Sequence, residues 1–412
     1  MTMYTSFQGM NETALRLLRE IEKMDIIDAH EHLPSEADRV KSDADALTLF
    51  SHYCRGDLKA DGMDEDTIQQ VFYSTAPLEE RWRKFKPHYA NISNTAYVKA
   101  AETAMEKYYG AASLTDDNLF EVSERVRRAN KPGLYRRVLR EDCGIVTCLS
   151  QDCGKSDDGL ITPVVWRLAN LRDYAGVVTH SEFLGREVKT LEDIEETTEK
   201  HIAKIKKDGG VGVKLMVYPM EDYDRRAAQE TLDHLCRHRN EDLPLRNPLT
   251  NFCFDKVITE AGKQGLVVCL HSGYWFDFRN LHPAFAIYMA GKYPDVRFDL
   301  YHTGYPYVRE AILLGKTRPN IWLNLCWTYI ISPHFAYHTL LEMLEMVPHN
   351  KIIGFGGDYR VVEKVYSHLL MARRVISEAL AAKVSDGWFT FDQAVDVAHK
   401  MLYDNPKALY NL

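Results

Sequence analysis

The chain has 412 residues, 45% of them hydrophobic, and a formal net charge of -8. That length supports either one large α/β barrel or two ordinary domains. The acidic balance removes the global basic surface that attraction to a phosphate backbone requires, which excludes nucleic acid and points to a small-molecule partner.

Eight cysteines (Cys54, Cys143, Cys148, Cys153, Cys236, Cys253, Cys269, Cys326) form no C-x-x-C pair. Several sit in apolar runs where a reduced thiol packs like a small hydrophobe, so a reduced, cytoplasmic protein is expected. Residues 1–24 lack a basic segment followed by an apolar one, and no run of roughly 18 apolar residues occurs; neither export nor membrane attachment is expected.

In chain order, short β-branched apolar runs alternate with segments of helical period, the pattern of parallel strands buried on both faces. The eight runs are Asp25–Ala29, Gly144–Leu149, Gly176–Thr179, Val211–Val217, Leu266–Leu270, Val296–Tyr301, Ile321–Leu325 and Lys351–Phe355. Eight such units predict a (β/α)8 TIM barrel spanning residues 1–412 as a single domain. Residues 33–142, between the first two strands, read as a helical insertion, with Asn94 or Thr95 and Asp116 or Asp117 as N-caps and Gly110 as a stop. Leaving from the carboxyl end of a strand, it is expected to cap the barrel mouth.

Residues just after the strands face that mouth, and the polar ones form a set. Strand one ends in His30-Glu31-His32, whose histidines share a side by alternation. Strand five ends in His271-Ser272-Gly273, strand six in His302-Thr303-Gly304 and strand eight in Gly356-Gly357-Asp358, while strand four carries Lys214. Imidazole and carboxylate ligands suit zinc, iron, manganese or nickel, and an ion with an open position describes a catalytic site. His180 is placed after strand three, and His334, His338, His349, His368 and His399 on the surface.

These motifs, in this order, resemble the amidohydrolase superfamily. The long insertion, the stretch DLYHTGYPYVREAILLGKTRPNIWLNLCW and the terminal DNPKALYNL resemble its amidohydrolase-related branch, which includes the amidohydrolase-like domain of some glutamine synthetases, with uronate isomerases as distant relatives. The resemblance implies one divalent metal, zinc first among the candidates, held by His30, His32, His271 and Asp358. It further implies Asp358 and His302 as catalytic groups, acid/base and carbonyl-polarising respectively. A second metal on a carboxylated Lys214 is the less favoured alternative.

Tyr274, Trp275, Arg279, Tyr305, Trp327 and Arg360 follow strand ends and, with Lys214, are expected to contact substrate; Arg81, Trp82, Arg83 and Tyr97 are candidates from the insertion. The expected reaction is hydrolysis of an amide or lactone in a carboxylated substrate by metal-activated water. Uronate-type isomerisation and non-oxidative decarboxylation are the alternatives, and the isomerase reading is weakened because the tandem tryptophans associated with those enzymes are absent from Leu325–Tyr329. A homo-oligomer is compatible with all of these.

Overall fold

A computed structural model describes residues 9–412; most of residues 1–24 are thus covered, but the first eight lie outside the described residues. Eight strands pair in parallel in the order of the chain: β1 (Ile26–Glu31), β2 (Ile145–Ser150), β3 (Ile161–Trp166), β4 (Gly212–Met216), β5 (Val267–His271), β6 (Phe298–Tyr301), β7 (Ile321–Asn324) and β8 (Ile352–Ile353). β8 is short, yet Ala29 N donates to Phe355 O at 3.1 Å, Asp358 N to His30 O at 2.8 Å and His32 N to Tyr359 O at 3.1 Å. These bonds join the last strand to the first and complete the TIM barrel.

The strands are nearly continuous buried apolar runs, as expected where helices cover the outside and side chains fill the inside. Ala29, Leu149, Val164, Cys269, Tyr301 and Cys326 form the interior cluster, joined by Leu409 and Tyr410 from the last helix. The large cluster outside it packs the sheet against the helices, and a smaller one lies beneath residues 171–253. Among the described residues no helix is long and apolar enough to cross a membrane.

One expected strand is corrected. Gly176–Thr179 belongs to the helix Tyr174–Leu184, capped by the Asp173 side chain on Gly176 N and ended by Gly185 at φ 76°. The third strand is instead Ile161–Trp166, whose Pro163 disfavours a strand reading because proline cannot donate to the ladder. A four-residue apolar run fits a buried helical turn equally well, and here the caps decide. His180 therefore lies within a helix, its Nε2 3.0 Å from Ala169 O.

Between β1 and β2 the chain forms short helices, the longest being Leu78–Ile92 and Ala96–Tyr109. Thr95 caps the latter and Gly110 ends it in the left-handed region. The helix Leu119–Ala129 begins after Asn118, not Asp116 or Asp117, because Asp116 accepts from Trp82 Nε1 at 2.7 Å. This segment is tied to the end of the barrel by buried polar contacts: Trp327 Nε1 donates to Tyr97 OH at 2.9 Å, and Arg39 and Tyr109 both donate to Glu363.

Candidate active site

The seam between β1 and β8 builds the centre of the site. Alternation along β1 puts His30 and His32 on one side, while Glu31 turns away and its Oε2 accepts from Tyr359 N at 2.6 Å. Asp358 reaches them through Gly356-Gly357. A Cβ on Gly357 would stand 1.9 Å from Glu31 Oε1, so only glycine lets the chain pass there. Asp358 adopts φ 60°, and His302 and Trp327, at the ends of β6 and β7, adopt 65° and 64°. Such conformations cost on the order of 1–3 kcal/mol each and persist where their surroundings hold them, a recurrent feature of active sites.

His30 Nε2 lies 3.0 Å and His32 Nε2 3.4 Å from the same oxygen, Asp358 Oδ1. The far nitrogens have partners too: Gln151 Nε2 is 2.9 Å from His30 Nδ1, and Asp152 Oδ2 is 3.3 Å from His32 Nδ1. The buried Gln151 Oε1 lacks a partner. Exchanging the amide's O and N, a choice that hydrogen bonding must make, lets Oε1 accept from His30 Nδ1–H. Both imidazoles then aim an Nε2 lone pair at one point beside Asp358, held from behind as metal-binding histidines are. Their ligand atoms all lie within 4.8 Å of one another, and the donor set fits a divalent ion.

Burial pushes His30 well below its ordinary pKa and takes His302 to about 3. Burial opposes ionisation of Asp358 as well, but the field and hydrogen bond of His30, with His302 and His32 beyond it, hold the carboxyl well below its usual range.

The remaining expected residues divide. His302 is buried, with Nδ1 3.6 Å from Asp358 Oδ2 and Nε2 2.9 Å from His271 Nδ1. His271, expected as a ligand, is thus brought to His302 and not into the group formed by His30, His32 and Asp358. Lys214 is buried with its ammonium 3.7 Å over the Tyr301 ring and no hydrogen-bond partner among the described residues; burial lowers its pKa to about 8.

At the rim, Trp275 lies 5.1 Å from the His271 ring and Tyr274 stacks on Trp327 at 5.8 Å. Arg360 reaches Asp152 at 3.3 Å, whereas Arg279 is exposed and held by both oxygens of its neighbour Asp277. Arg81 is a structural residue, buried against Asp45 and the Val71 carbonyl, and Arg83 is exposed beside Glu79.

Several site residues escaped the sequence reading. Gln151 and Asp152 directly follow β2, and Cys326 follows β7 by two positions, so the strand-end rule could have found them. His52 and Tyr53 come from the insertion, where no period marks them. His52 is half-buried at φ 74°, its enclosed Nδ1 without a partner among the described residues, and burial followed by the nearby Asp358 carboxylate pushes the Tyr53 hydroxyl well above its ordinary pKa. His368, expected on the surface, is fully buried and its Nδ1 lies 3.0 Å from Gly357 O, bracing the turn that carries Asp358.

Comparison with known proteins places these features in context. The amidohydrolase family model matches residues 169–412. The FluG protein of Emericella nidulans is 29% identical over 182 residues, 42% of this chain and 21% of its own, so this match spans about a fifth of that relative. A uronate isomerase of Cutibacterium acnes is 21% identical over 456 aligned residues, covering 97% of this chain and 95% of its own. The crystal structure of a Thermotoga maritima uronate isomerase superposes with a TM-score of 0.79 at 17% identity, covering 97% and 98% of the two chains.

Proposed function

We infer, from the premise that this chain belongs to the amidohydrolase family, that it is a metal-dependent aldose/ketose isomerase acting on a sugar acid. The observation that carries this reading is the end-to-end correspondence with a protein named uronate isomerase, which includes the segment between β1 and β2. His30, His32 and Asp358 would hold one divalent ion, zinc being favoured by the nitrogen and oxygen donors. When bound, the ion polarises a substrate oxygen as a Lewis acid and eases loss of a neighbouring proton.

The chain's own groups do the rest. Asp358, ionised and buried, takes the proton from the hydroxyl-bearing carbon beside the carbonyl and returns it to the former carbonyl carbon, a general acid/base role, while the proton of that hydroxyl passes to the carbonyl oxygen. Tyr53, whose hydroxyl feels the Asp358 carboxylate, borders it from the insertion. His302 supports the carbonyl side, with its ring held by His271. Arg360, at the rim beside Asp152, is the cation best placed to grip a substrate carboxylate through two parallel hydrogen bonds. Trp275, Tyr274 and Trp327 supply apolar walls, and the helices of residues 33–142 cap the mouth. The position of the Lys214 amine over the Tyr301 ring favours one ion over a lysine-bridged pair.

Hydrolysis of a lactone or amide is the second reading, favoured by the absence of tandem tryptophans in Leu325–Tyr329. Incubating metal-loaded protein separately with hexuronates, sugar-acid lactones and N-acyl amino acids distinguishes the two. The isomerase reading expects interconversion of aldehyde and ketone forms of a hexuronate; hydrolysis of a lactone or amide without any isomerisation would replace it.

A further inference from the structure

Asp358 faces two ways. Its Oδ1 meets His30 and His32, whereas Oδ2 looks toward His302 Nδ1 at 3.6 Å, and that nitrogen is 3.4 Å from Cys326 Sγ. The ligand atoms of His30, His302 and Cys326 lie within 4.8 Å of one another, and all three residues are buried. Ligand bonds of about 2.0–2.1 Å for nitrogen and about 2.3 Å for sulfur, at tetrahedral angles, separate neighbouring donors by about 3.3–3.6 Å. The 3.4 Å between His302 Nδ1 and Cys326 Sγ therefore matches one edge of a tetrahedron about an ion.

Orientation agrees with spacing. His302 Nε2 stands 2.9 Å from His271 Nδ1, so a proton on Nε2 satisfies that contact and leaves the Nδ1 lone pair facing Cys326. The backbone of Cys326 is fixed by its N–H, which donates to Asn324 Oδ1 at 2.9 Å. His30 has only Nε2 to offer, since Gln151 occupies Nδ1.

We propose that His30, His302 and Cys326 form a second cation position, selective for soft divalent ions, which competes with the cage of His30, His32 and Asp358 for the same His30 nitrogen. The inference shares His30 with the cage proposed above but does not depend on the reaction assigned to it. One position offers two nitrogens and a carboxylate, which accepts manganese as well as zinc; the other offers two nitrogens and a thiolate, which favours cadmium and zinc over manganese. A ligating sulfur gives up its proton, so each ion bound there releases one proton to solvent. The identity of the metal thus decides where it sits, and only an ion in the Asp358 cage leaves His302 free to act on substrate.

Cobalt(II) titration of the full chain tests this, because visible d–d bands report binding at either position and a near-ultraviolet sulfur-to-cobalt band reports only a thiolate. The wild type should show both, and Cys326→Ser and Cys326→Ala should each lose the sulfur band while retaining the d–d bands. Cadmium affinity should fall at least about tenfold in both variants, with manganese affinity changed by less than about twofold. Visible bands without a sulfur band in the wild type, or a sulfur band surviving in both variants, would overturn the proposal. Absence of all cobalt bands would overturn it together with the cage.

Discussion

The two sides of the barrel mouth are built differently. On the β1–β8 side the three cage residues are braced from behind: His30 by Gln151, His32 by Asp152, and the Asp358 turn by Asp28, Glu31 and His368. On the β5 side the loop after His271 exposes Tyr274, Trp275, Phe276 and Phe278, and its Arg279 pairs only with its neighbour Asp277. Preorganised donors act without rearrangement when charge develops, whereas an aromatic rim adapts to what it contacts. Under the proposed function, this difference would place the chemistry on the first side and aromatic contacts with substrate on the second.

The largest expected effect breaks the braced side. Asp358→Asn, assayed at saturating metal, should lower turnover by on the order of 10² or more, as loss of a positioned acid/base does; near-normal turnover would remove Asp358 from that role. One step back, Gln151→Leu leaves His30 Nδ1 without its partner and should weaken metal binding about 10–100-fold, measured by chelator competition. An unchanged affinity would mean that the Gln151 contact does not orient the ligand.

At the rim, Arg360→Ala should raise KM about tenfold for an acidic substrate and leave binding of the matching neutral amide nearly unchanged, since one charge-assisted pair is worth about 1.5–3 kcal/mol. Tighter binding of the amide by the wild type would contradict a carboxylate substrate altogether. Arg279→Ala, by contrast, should change KM by less than about twofold, because an exposed ion pair contributes about 0–1 kcal/mol.

Beneath both sides, burial raises Asp299 from 3.8 to about 7, although Tyr410 donates to it at 2.6 Å and Asn324 at 2.9 Å. The folded state keeps a proton that the unfolded chain releases above its ordinary pKa. This contribution to stability is complete below about pH 4 and is lost as pH rises through about 7, with a slope of at most about 1.4 kcal/mol per pH unit. Unfolding curves of Asp299→Asn should lack that component between pH 4 and 7; a pH dependence parallel to the wild type would contradict it.

The braced side was also the more legible one. The His30-Glu31-His32 and Gly356-Gly357-Asp358 motifs carry their chemistry in the residue types, and alternation along a strand fixes which side chains meet. The strand Ile161–Trp166 was hidden because Pro163 interrupts it, while the β-branched Gly176–Thr179 imitated a strand inside a capped helix. His271 reads as a ligand by its position after β5, and the distances add that its Nδ1 meets His302 Nε2 at 2.9 Å while its buried Nε2 has no partner among the described residues. His52 and Tyr53 had no signal at all, since their approach to the seam depends on tertiary packing of short helices.

The central claim is that the β1–β8 seam holds the metal, and His30 is the one ligand common to both positions. Metal content of His30→Ala, measured by elemental analysis after equilibration with zinc and again with manganese, tests it most directly, with circular dichroism confirming the fold. The account predicts about one ion per chain in the wild type and essentially none in the variant. Retention of a stoichiometric ion by folded His30→Ala, with either metal, would contradict it.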